Sequence, residues 1–266
     1  MGMNNKYDFP RRIVCLTEES VETLYLLGQQ HRIVGVSAFV KRPPEAQNLP
    51  KVSFFTSSHY KKIADLRPDL ILGHSDIQKD IARDLVEQGH NVFIANHRSI
   101  DGILQYIHML SRLCGVEQKG WELIKCMEAK IGSIQELTKN LQVKPKVYFE
   151  EWDDPKISAI KWVSEALAIC GADNIFSDRA SGVLAKERFV NDEEVIGFSP
   201  DIIFACWCGK KVKINSILNR KGYESINAVK NGRVYELAPE IFLQPGPALI
   251  LDGLDVLINY IVGDKK

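Results

Sequence analysis

The stretch Ile63-Ala64-Asp65-Leu66-Arg67-Pro68-Asp69-Leu70-Ile71-Leu72 closes a helical pattern and opens a strand pattern. Proline cannot continue a helix, and it biases the residue before it away from helical backbone. The unbroken apolar run after the aspartate is typical of a strand in a parallel sheet that is covered on both faces. The same order recurs at Val195-Ile196-Gly197-Phe198-Ser199-Pro200-Asp201-Ile202-Ile203-Phe204. This repeat predicts two copies of one α/β unit.

The elements before the two prolines also repeat. Each copy opens with a strand pattern, at residues 13–16 and 147–149, and a polar loop follows each strand. An amphipathic helix pattern comes next, at residues 21–27 and 157–170, and a glycine ends both helices. Because several elements recur in the same order at nearly the same offset, one chance helix-to-strand junction does not explain them.

Both copies continue with a helix and a strand. In the first copy a helix is predicted at 77–88 and a strand at 91–95. In the second, an irregular helix is predicted at 214–226 and a strand at 233–237. Strands that alternate with helices indicate parallel sheets, so the sequence predicts an α/β protein with two similar Rossmann-like lobes.

A long amphipathic helix is predicted between the two copies, at residues 116–141, and at ~26 residues it would be roughly 39 Å long. The domains are therefore predicted as an N-terminal α/β lobe at 1–115, a connecting helix at 116–142 and a C-terminal α/β lobe at 143–266. The apolar residues that define the helix recur every three or four positions: Leu123, Ile124, Met127, Ile131, Ile134, Leu137 and Leu141.

The composition is that of an ordinary globular protein. The chain has 266 residues, of which 45% are hydrophobic and 26% charged, which excludes disorder and low complexity. Its 34 basic and 34 acidic residues balance, so nucleic-acid binding through phosphate neutralisation is disfavoured. Apolar runs fall short of the ~18–20 residues that span a bilayer, so membrane insertion is not expected. We expect a monomer.

The start of the chain and the cysteines bear on location. Met1–Pro10 lacks a basic segment followed by an apolar one, so it does not read as a secretory signal. Four cysteines (Cys15, Cys114, Cys126, Cys170) fall in apolar patterns, which favours free, buried thiols in a reducing compartment. The prediction is a cytoplasmic protein, with a periplasmic or lipid-anchored one as the alternative if a signal segment has been removed.

Two lobes joined by one helix predict a ligand cleft between them, since ligands bind beyond the carboxyl ends of parallel strands. Aromatic side chains at loop tips suit a large, flat, partly apolar ligand. For any single aromatic residue, packing beneath its own loop is the alternative. The candidate ligand-binding residues are those expected on these loops: Phe39, Phe54, Phe55, His59, His74, His97, Trp152, Trp162, Trp207, Cys208, Lys210, Phe242 and Gln244.

Metal and catalytic sites are weighed separately. Cys206 and Cys208 would point to one face of a strand, but a second ligand pair at zinc spacing is missing, so lining the cleft is favoured over a redox or metal role. One of His59, His74 and His97 could ligate a metal carried by the ligand or could only hydrogen-bond the ligand. No intrinsic cofactor or metal is expected.

The sequence does not favour an enzyme. It contains no nucleophile elbow, P-loop or dinucleotide fingerprint. The acidic stretch from Glu150 to Asp154 could hold a catalytic pair, but a solvated or partner-facing surface is the favoured interpretation. A non-catalytic binding protein is therefore predicted.

The chain resembles the cobalamin-binding and siderophore-binding proteins that serve ABC importers, in which a single helix links two α/β lobes. The resemblance covers nearly the whole chain, and the first-half motifs, such as Leu66-Arg67-Pro68-Asp69-Leu70-Ile71, are generic to the fold. The second-half motifs are similar to a cobalamin-binding branch that often lacks an export signal: Phe149-Glu150-Glu151-Trp152-Asp153-Asp154-Pro155, Trp162-Val163-Ser164-Glu165, Trp207-Cys208-Gly209-Lys210-Lys211 and Leu243-Gln244-Pro245-Gly246-Pro247.

The resemblance implies a corrinoid ligand between the lobes, approached by Phe54 and Phe55 from one lobe and Trp207 from the other. It also implies an ABC permease as partner, contacted by one acidic residue of each lobe; Asp76 or Asp80 and Glu224 are the candidates. A cytoplasmic protein would instead buffer, sense or hand over the corrinoid inside the cell. Two alternatives stay open. A ferric siderophore or haem would use cationic side chains, and a cytoplasmic enzyme of corrinoid or tetrapyrrole handling would use His59, His74 or Cys208. The cations are Lys41, Arg42, Arg98, Lys210 and Lys211.

Overall fold

The computed structural model describes residues 9–263 and divides them into two compact units. Unit 1 runs up to His97 and includes Asp101–Cys126, and unit 2 consists of Arg98–Ile100 and the residues from Met127 onward. Most of the amino-terminal segment used above to predict location lies outside the described residues. No helix of residues 9–263 is long and apolar enough to span a membrane.

Unit 1 is built on a six-stranded sheet in the order β4-β3-β2-β1-β5-β6. Neighbouring strands are parallel except for β3 and β4, which form an antiparallel hairpin. The strands are β1 (Ile13–Cys15), β2 (Ile33–Ser37), β3 (Lys51–Phe54), β4 (Ser57–Ser58), β5 (Leu70–His74) and β6 (Val92–Ala95). The helices that begin before residue 120 are α1 (Glu18–Leu26), α2 (Tyr60–Asp65), α3 (Lys79–Glu87), α4 (Ile100–Leu113) and α5 (Glu117–Thr138).

Strand β1 is buried on both faces, which explains its unbroken apolar sequence. Ile13 and Cys15 belong to one core cluster, together with side chains of α1 and α4. Val14 packs in a second cluster with side chains of α2 and α3, because successive strand residues point to opposite faces. The central position of β1 places the residues that follow it, at its carboxyl end, close to those that follow β2 and β5.

Unit 2 has a second sheet in the order β11-β10-β7-β8, and β9 pairs with the start of β7. Its strands are β7 (Lys146–Asp153), β8 (Lys156–Ser158), β9 (Asp173–Asn174), β10 (Ile202–Ala205) and β11 (Val234–Glu236). Its helices are α6 (Lys161–Ile169), α7 (Asp192–Phe198), α8 (Ile214–Leu218), α9 (Asn227–Lys230), α10 (Pro239–Phe242) and, after a π-helical turn at Leu249–Gly253, α11 (Leu254–Val262).

The predicted duplication is confirmed in the topology. The order β2-β1-β5-β6 of unit 1 matches the order β9-β7-β10-β11 of unit 2. Arg67 and Ser199, each just before a repeated proline, share a left-handed backbone with φ of 46° and 45°. The carboxylate of Asp69 accepts hydrogen bonds from backbone N–H groups just before β1, and that of Asp201 accepts one at the start of β7. In each unit, the aspartate of the Pro-Asp repeat therefore connects the strand that follows it, β5 or β10, to the first strand, β1 or β7, by hydrogen bonds.

The predicted loop after the first strand of unit 2 is wrong, and the predicted helix is present but begins later. Strand β7 continues to Asp153 and forms an antiparallel hairpin with β8, where residues 150–155 were predicted as a loop. The predicted helix at 157–170 begins only at Lys161, because Ile157 lies in β8. The polar sequence masked this strand, since its acidic side chains have buried basic partners that lie far away in the chain.

The predicted long helix is present as α5, which is shorter than the predicted 116–141. Ile124, Met127 and Ile134 are buried as expected, but Leu137 is 68% exposed, so the apolar stripe ends earlier than predicted. The division between the two units falls inside α5, and the three-domain boundaries stay a prediction. The cysteines predicted to be buried are so except for Cys126, which is exposed.

Candidate functional site

Unit 1 exposes four aromatic side chains where β2 and β3 end; we call Phe39, Phe54, Phe55 and His59 the aromatic edge. The three phenylalanines are 53%, 41% and 43% exposed. The Phe39 and Phe54 rings meet edge to face at 6.0 Å between centroids, and the His59 ring meets Phe54 in the same way at 5.6 Å. Phenyl rings left in water favour contact with an apolar surface, so this edge is suited to the face of a flat ligand.

Hydrogen bonds hold the backbone of the aromatic edge in place. The amide of Phe39 donates to the Ser37 hydroxyl oxygen at 3.1 Å, and that hydroxyl donates to Glu18 at 2.7 Å. The carbonyl of Phe55 accepts from the side-chain amide of Gln78 at 3.1 Å, and the amide of His59 donates to a carbonyl of β3 at 2.8 Å. A surface fixed in this way loses little conformational entropy when a ligand binds.

His74 and His97 lie in an interior polar cluster of unit 1 and do not form part of the aromatic edge. His74 is 4% exposed, and its Nε2 donates to the carbonyl oxygen of His97 at 3.0 Å. The His97 ring stacks on Tyr106 at 4.7 Å. Nearby, burial raises the pKa of Glu19, while the Thr17 hydroxyl and then the charge of His97 lower it. The predicted ligand-facing position of His74 is corrected, because it is the buried last residue of β5.

Two of the three tryptophans predicted on ligand-facing loops lie in the core of unit 2. Trp207 is 2% exposed, and its indole N–H donates to Glu150 at 3.1 Å. Trp162 is 5% exposed and donates to the carbonyl of Phe242 at 2.9 Å, and Phe242 is itself 1% exposed. A buried indole needs an acceptor, and these distant partners supply one. The expected exposure of Trp162, Trp207 and Phe242 at loop tips is therefore wrong.

Glu150 is the centre of a buried network, which corrects its predicted place on a solvated acidic surface. It is completely buried and accepts hydrogen bonds from Tyr148 at 3.0 Å and from Arg220 at 2.9 Å, in addition to that from Trp207. Burial, followed by the charge of Glu150, raises the pKa of Tyr148 well above its ordinary value. The neighbouring Glu151 pairs with Arg188, which is 3% exposed.

Lys210 covers the outer side of this network. Its Nζ lies 4.0 Å from the ring centroid of Trp152 and 4.9 Å from that of Trp207, and it pairs with Asp153. Cation–π contacts of this kind keep a long side chain in one orientation. Trp152 is half-buried and donates to the carbonyl of Asp154 at 2.9 Å. Trp152 and Lys210 are thus candidate ligand contacts of unit 2 with accessible surface.

The two thiols around Trp207 differ in their surroundings. Strand β10 ends at Ala205, before both cysteines, so the predicted shared strand face is wrong. Cys206 is buried and Cys208 is exposed. Burial raises the pKa of Cys206 well above its ordinary value. Gln244 is half-buried. Within residues 9–263, no group of three or more His, Cys, Asp and Glu side chains is placed to hold a metal ion.

The sequence pattern of the periplasmic binding protein family matches residues 13–241. The chain therefore belongs to this family of non-catalytic substrate-binding proteins, as the resemblance implied. It is a substrate-binding protein of the ABC importer type, which implies a small-molecule ligand and a permease partner.

Individual relatives agree with this class. The chain is 29% identical to YvrC of Bacillus subtilis (strain 168), an uncharacterized ABC transporter substrate-binding lipoprotein, over 96% of this chain and 81% of the relative. It is 26% identical to a vitamin B12-binding protein of Vibrio cholerae, over 95% and 90% of the two chains.

A solved structure shares the fold. The periplasmic heme-binding protein RhuT of Roseiflexus sp. RS-1 superposes with a TM-score of 0.81 at 23% identity, covering 94% of this chain and 98% of its own.

The predicted cytoplasmic location is not supported, because the family is periplasmic and the B. subtilis relative is a lipoprotein.

Proposed function

We propose that this protein binds cobalamin or a related corrinoid and presents it to an ABC permease. The observation that carries the proposal is the aromatic edge, where three exposed phenyl rings are held on a hydrogen-bonded backbone. A corrin ring is a flat, partly apolar macrocycle, and contact with exposed phenyl rings removes apolar surface of both partners from water. The vitamin B12-binding relative from V. cholerae supports the same ligand class.

Haem or a ferric siderophore is the second candidate, and the heme-binding relative with the same fold favours haem. Anionic iron chelates call for cations that are not already neutralised. Arg42 is paired with Glu22 at 2.9 Å, and Lys210 is paired with Asp153. Partners in the same unit therefore already balance the charges of two of the five candidate cations, which makes these two less suited to a strongly anionic chelate.

We infer that the protein works outside the cytoplasmic membrane, where an importer collects its ligand. The expected permease contacts are one acidic residue on each unit. In unit 1 the carboxylate of Asp80 is already paired with Arg83 at 3.1 Å, and Asp76 is the alternative candidate. In unit 2 Glu224 is exposed on a short turn, which suits an ion pair with a basic permease side chain.

The direct test is titration of the purified protein with cyanocobalamin, followed by tryptophan fluorescence and by equilibrium dialysis. The expected result is saturable binding at one site. Phe54→Ala should weaken it by about 1–3 kcal/mol if the ring packs on the macrocycle. The matched control is Phe9→Ala, since Phe9 is 45% exposed in unit 1 but lies at the amino end of β1. Absence of binding at high micromolar ligand refutes the proposal.

A further inference from the structure

We propose that His59 coordinates the central metal of a planar macrocycle whose axial position is open, such as a corrinoid that lacks its own nucleotide base. This inference rests on the proposed function, and it names the residue that distinguishes one kind of macrocycle from another. The imidazole would donate a nitrogen lone pair to the metal and displace a bound water molecule, which leaves to solvent. No oxidation or reduction is involved.

The surroundings of three histidines single out His59. The ring of His74 is buried, and its Nε2 is already bonded to a carbonyl oxygen. The ring of His97 is stacked on Tyr106 and lies beside the buried Glu19. His59 is exposed, and among residues 9–263 no group hydrogen-bonds its ring nitrogens. Its nitrogens are thus accessible to a metal.

The position of His59 is fixed at two levels. Its backbone amide donates to the carbonyl of Val52 at 2.8 Å, and its carbonyl accepts from the amide of Ile63 at 3.0 Å. The Cα therefore cannot shift without breaking a hydrogen bond to β3 or one to the first turn of α2. Its ring lies edge-on to Phe54 with an interplanar angle of 72°. This edge-to-face contact restricts the orientation of the imidazole before the ligand arrives, which favours axial coordination.

The neighbouring phenyl rings supply the second half of the argument. Phe54 is exposed and contacts the His59 ring, and Phe39 lies against Phe54. Phe55, which follows Phe54 in the sequence, is also exposed. An isolated surface histidine would bind a metal only weakly, because one ligand gives little affinity. Apolar contact with the macrocycle would hold the metal close to the imidazole, so that coordination becomes an effectively intramolecular step.

The test compares diaquacobinamide, a corrinoid without a nucleotide base, with cyanocobalamin, whose own base occupies the lower axial position. Absorption spectra report replacement of cobalt-bound water by a nitrogen ligand, and equilibrium dialysis reports binding separately. We expect a red shift of the main corrinoid band on binding of diaquacobinamide. His59→Ala should abolish this shift and should weaken cobinamide binding at least about 10-fold more than it weakens cyanocobalamin binding, because cyanocobalamin loses only the contact with the ring.

The matched control is His31→Ala, because His31 is another exposed histidine of unit 1 and lies in a short turn before β2. This variant should retain the spectral shift. Bound cobinamide with an unshifted spectrum, or a shift that persists in His59→Ala, overturns the inference while the corrinoid proposal stands.

Haemin provides the remaining arm of the test. If haemin gives a His59-dependent shift of its main absorption band and neither corrinoid binds, the coordination inference stands and the corrinoid proposal falls. If none of the three macrocycles binds, both fall.

Discussion

Replacement of Arg220 by methionine should strongly destabilise the protein, because it leaves the carboxylate of Glu150 buried without a counter-ion. Glu150 is 0% exposed, and the Arg220 side chain is 13% exposed. Arg220 contacts both carboxylate oxygens, and the remaining donors to them are the hydroxyl of Tyr148 and the indole of Trp207. Within residues 9–263, the substitution therefore removes the only cation that hydrogen-bonds this carboxylate and leaves two neutral donors.

The magnitude follows from the geometry. Removal of one partner of a buried ion pair costs about 3–5 kcal/mol. The two neutral donors that remain still solvate the carboxylate, and each is worth about 1 kcal/mol, so we expect the lower end, about 3 kcal/mol. For a protein near this size, that loss corresponds to a decrease in Tm of about 6–12 °C.

The measurement is thermal unfolding followed by circular dichroism, with urea unfolding as a second probe. Arg83→Met is the matched control, because Arg83 is 60% exposed in its ion pairs and its loss should leave the Tm nearly unchanged. The Glu150→Gln/Arg220→Met double variant should be more stable than Arg220→Met alone, since it buries no charge. Equal effects of Arg220→Met and Arg83→Met would refute the reasoning.

Three further predictions follow from other parts of the molecule. Asp69→Ala and Asp201→Ala should each lower the free energy of unfolding, measured by urea unfolding, by about 1–3 kcal/mol. Each substitution removes the carboxylate that accepts from backbone N–H at or just before the start of a central strand. If only one of them has an effect, the two repeats are not equivalent in energy. Burial raises the pKa of Cys15 and of Cys170 to about 12, so both thiols stay protonated at pH 8. A thiol reagent should therefore modify Cys126 and Cys208 in the native protein but all six cysteines after denaturation. Rapid labelling of Cys15 in the native protein would contradict this. Trp207→Phe should lower the free energy of unfolding by about 1–2 kcal/mol, because it removes the hydrogen bond to Glu150. Corrinoid affinity measured by dialysis should not change, since the ring is 2% exposed. A large loss of affinity would place Trp207 at the ligand.

The fold could be predicted from local signals. The Pro-Asp repeat, the apolar runs of β5 and β10 and the glycines after α1 and α6 act through neighbouring residues, and the structure has the corresponding elements. Strand β7 could not be predicted to its full length. Its polar second half is stabilised by Arg188 and Arg220, which follow Glu151 and Glu150 by 37 and 70 residues.

The residues of the candidate site also differ in whether local sequence or a distant partner determines their position. Phe39, Phe54 and Phe55 come directly after or at the ends of short strands, so a local interpretation places them at an exposed edge, where the structure has them. Trp162 and Trp207 also follow strands, but each has an acceptor 80 or 57 residues away in the sequence, and that acceptor allows the indole to be buried. Spacing alone does not show such a partner.

The duplicated units diverge at the carboxyl ends of their first strands. β1 has 3 residues and passes directly into α1, whereas β7 has 8 and continues past Glu150, its last residue paired with β10. Beyond that point β7 pairs with β8 alone, so the hairpin carries Trp152 and Asp153 past the end of the parallel sheet, where Lys210 covers them. Unit 1, which has no such hairpin after β1, instead exposes its aromatic edge after β2 and β3. The same α/β unit thus exposes an apolar surface in unit 1 and an indole covered by a lysine in unit 2. Lys210 must move before the full face of Trp152 can contact a ligand. Discrimination among macrocycles is therefore expected to depend mainly on the exposed apolar surface of unit 1.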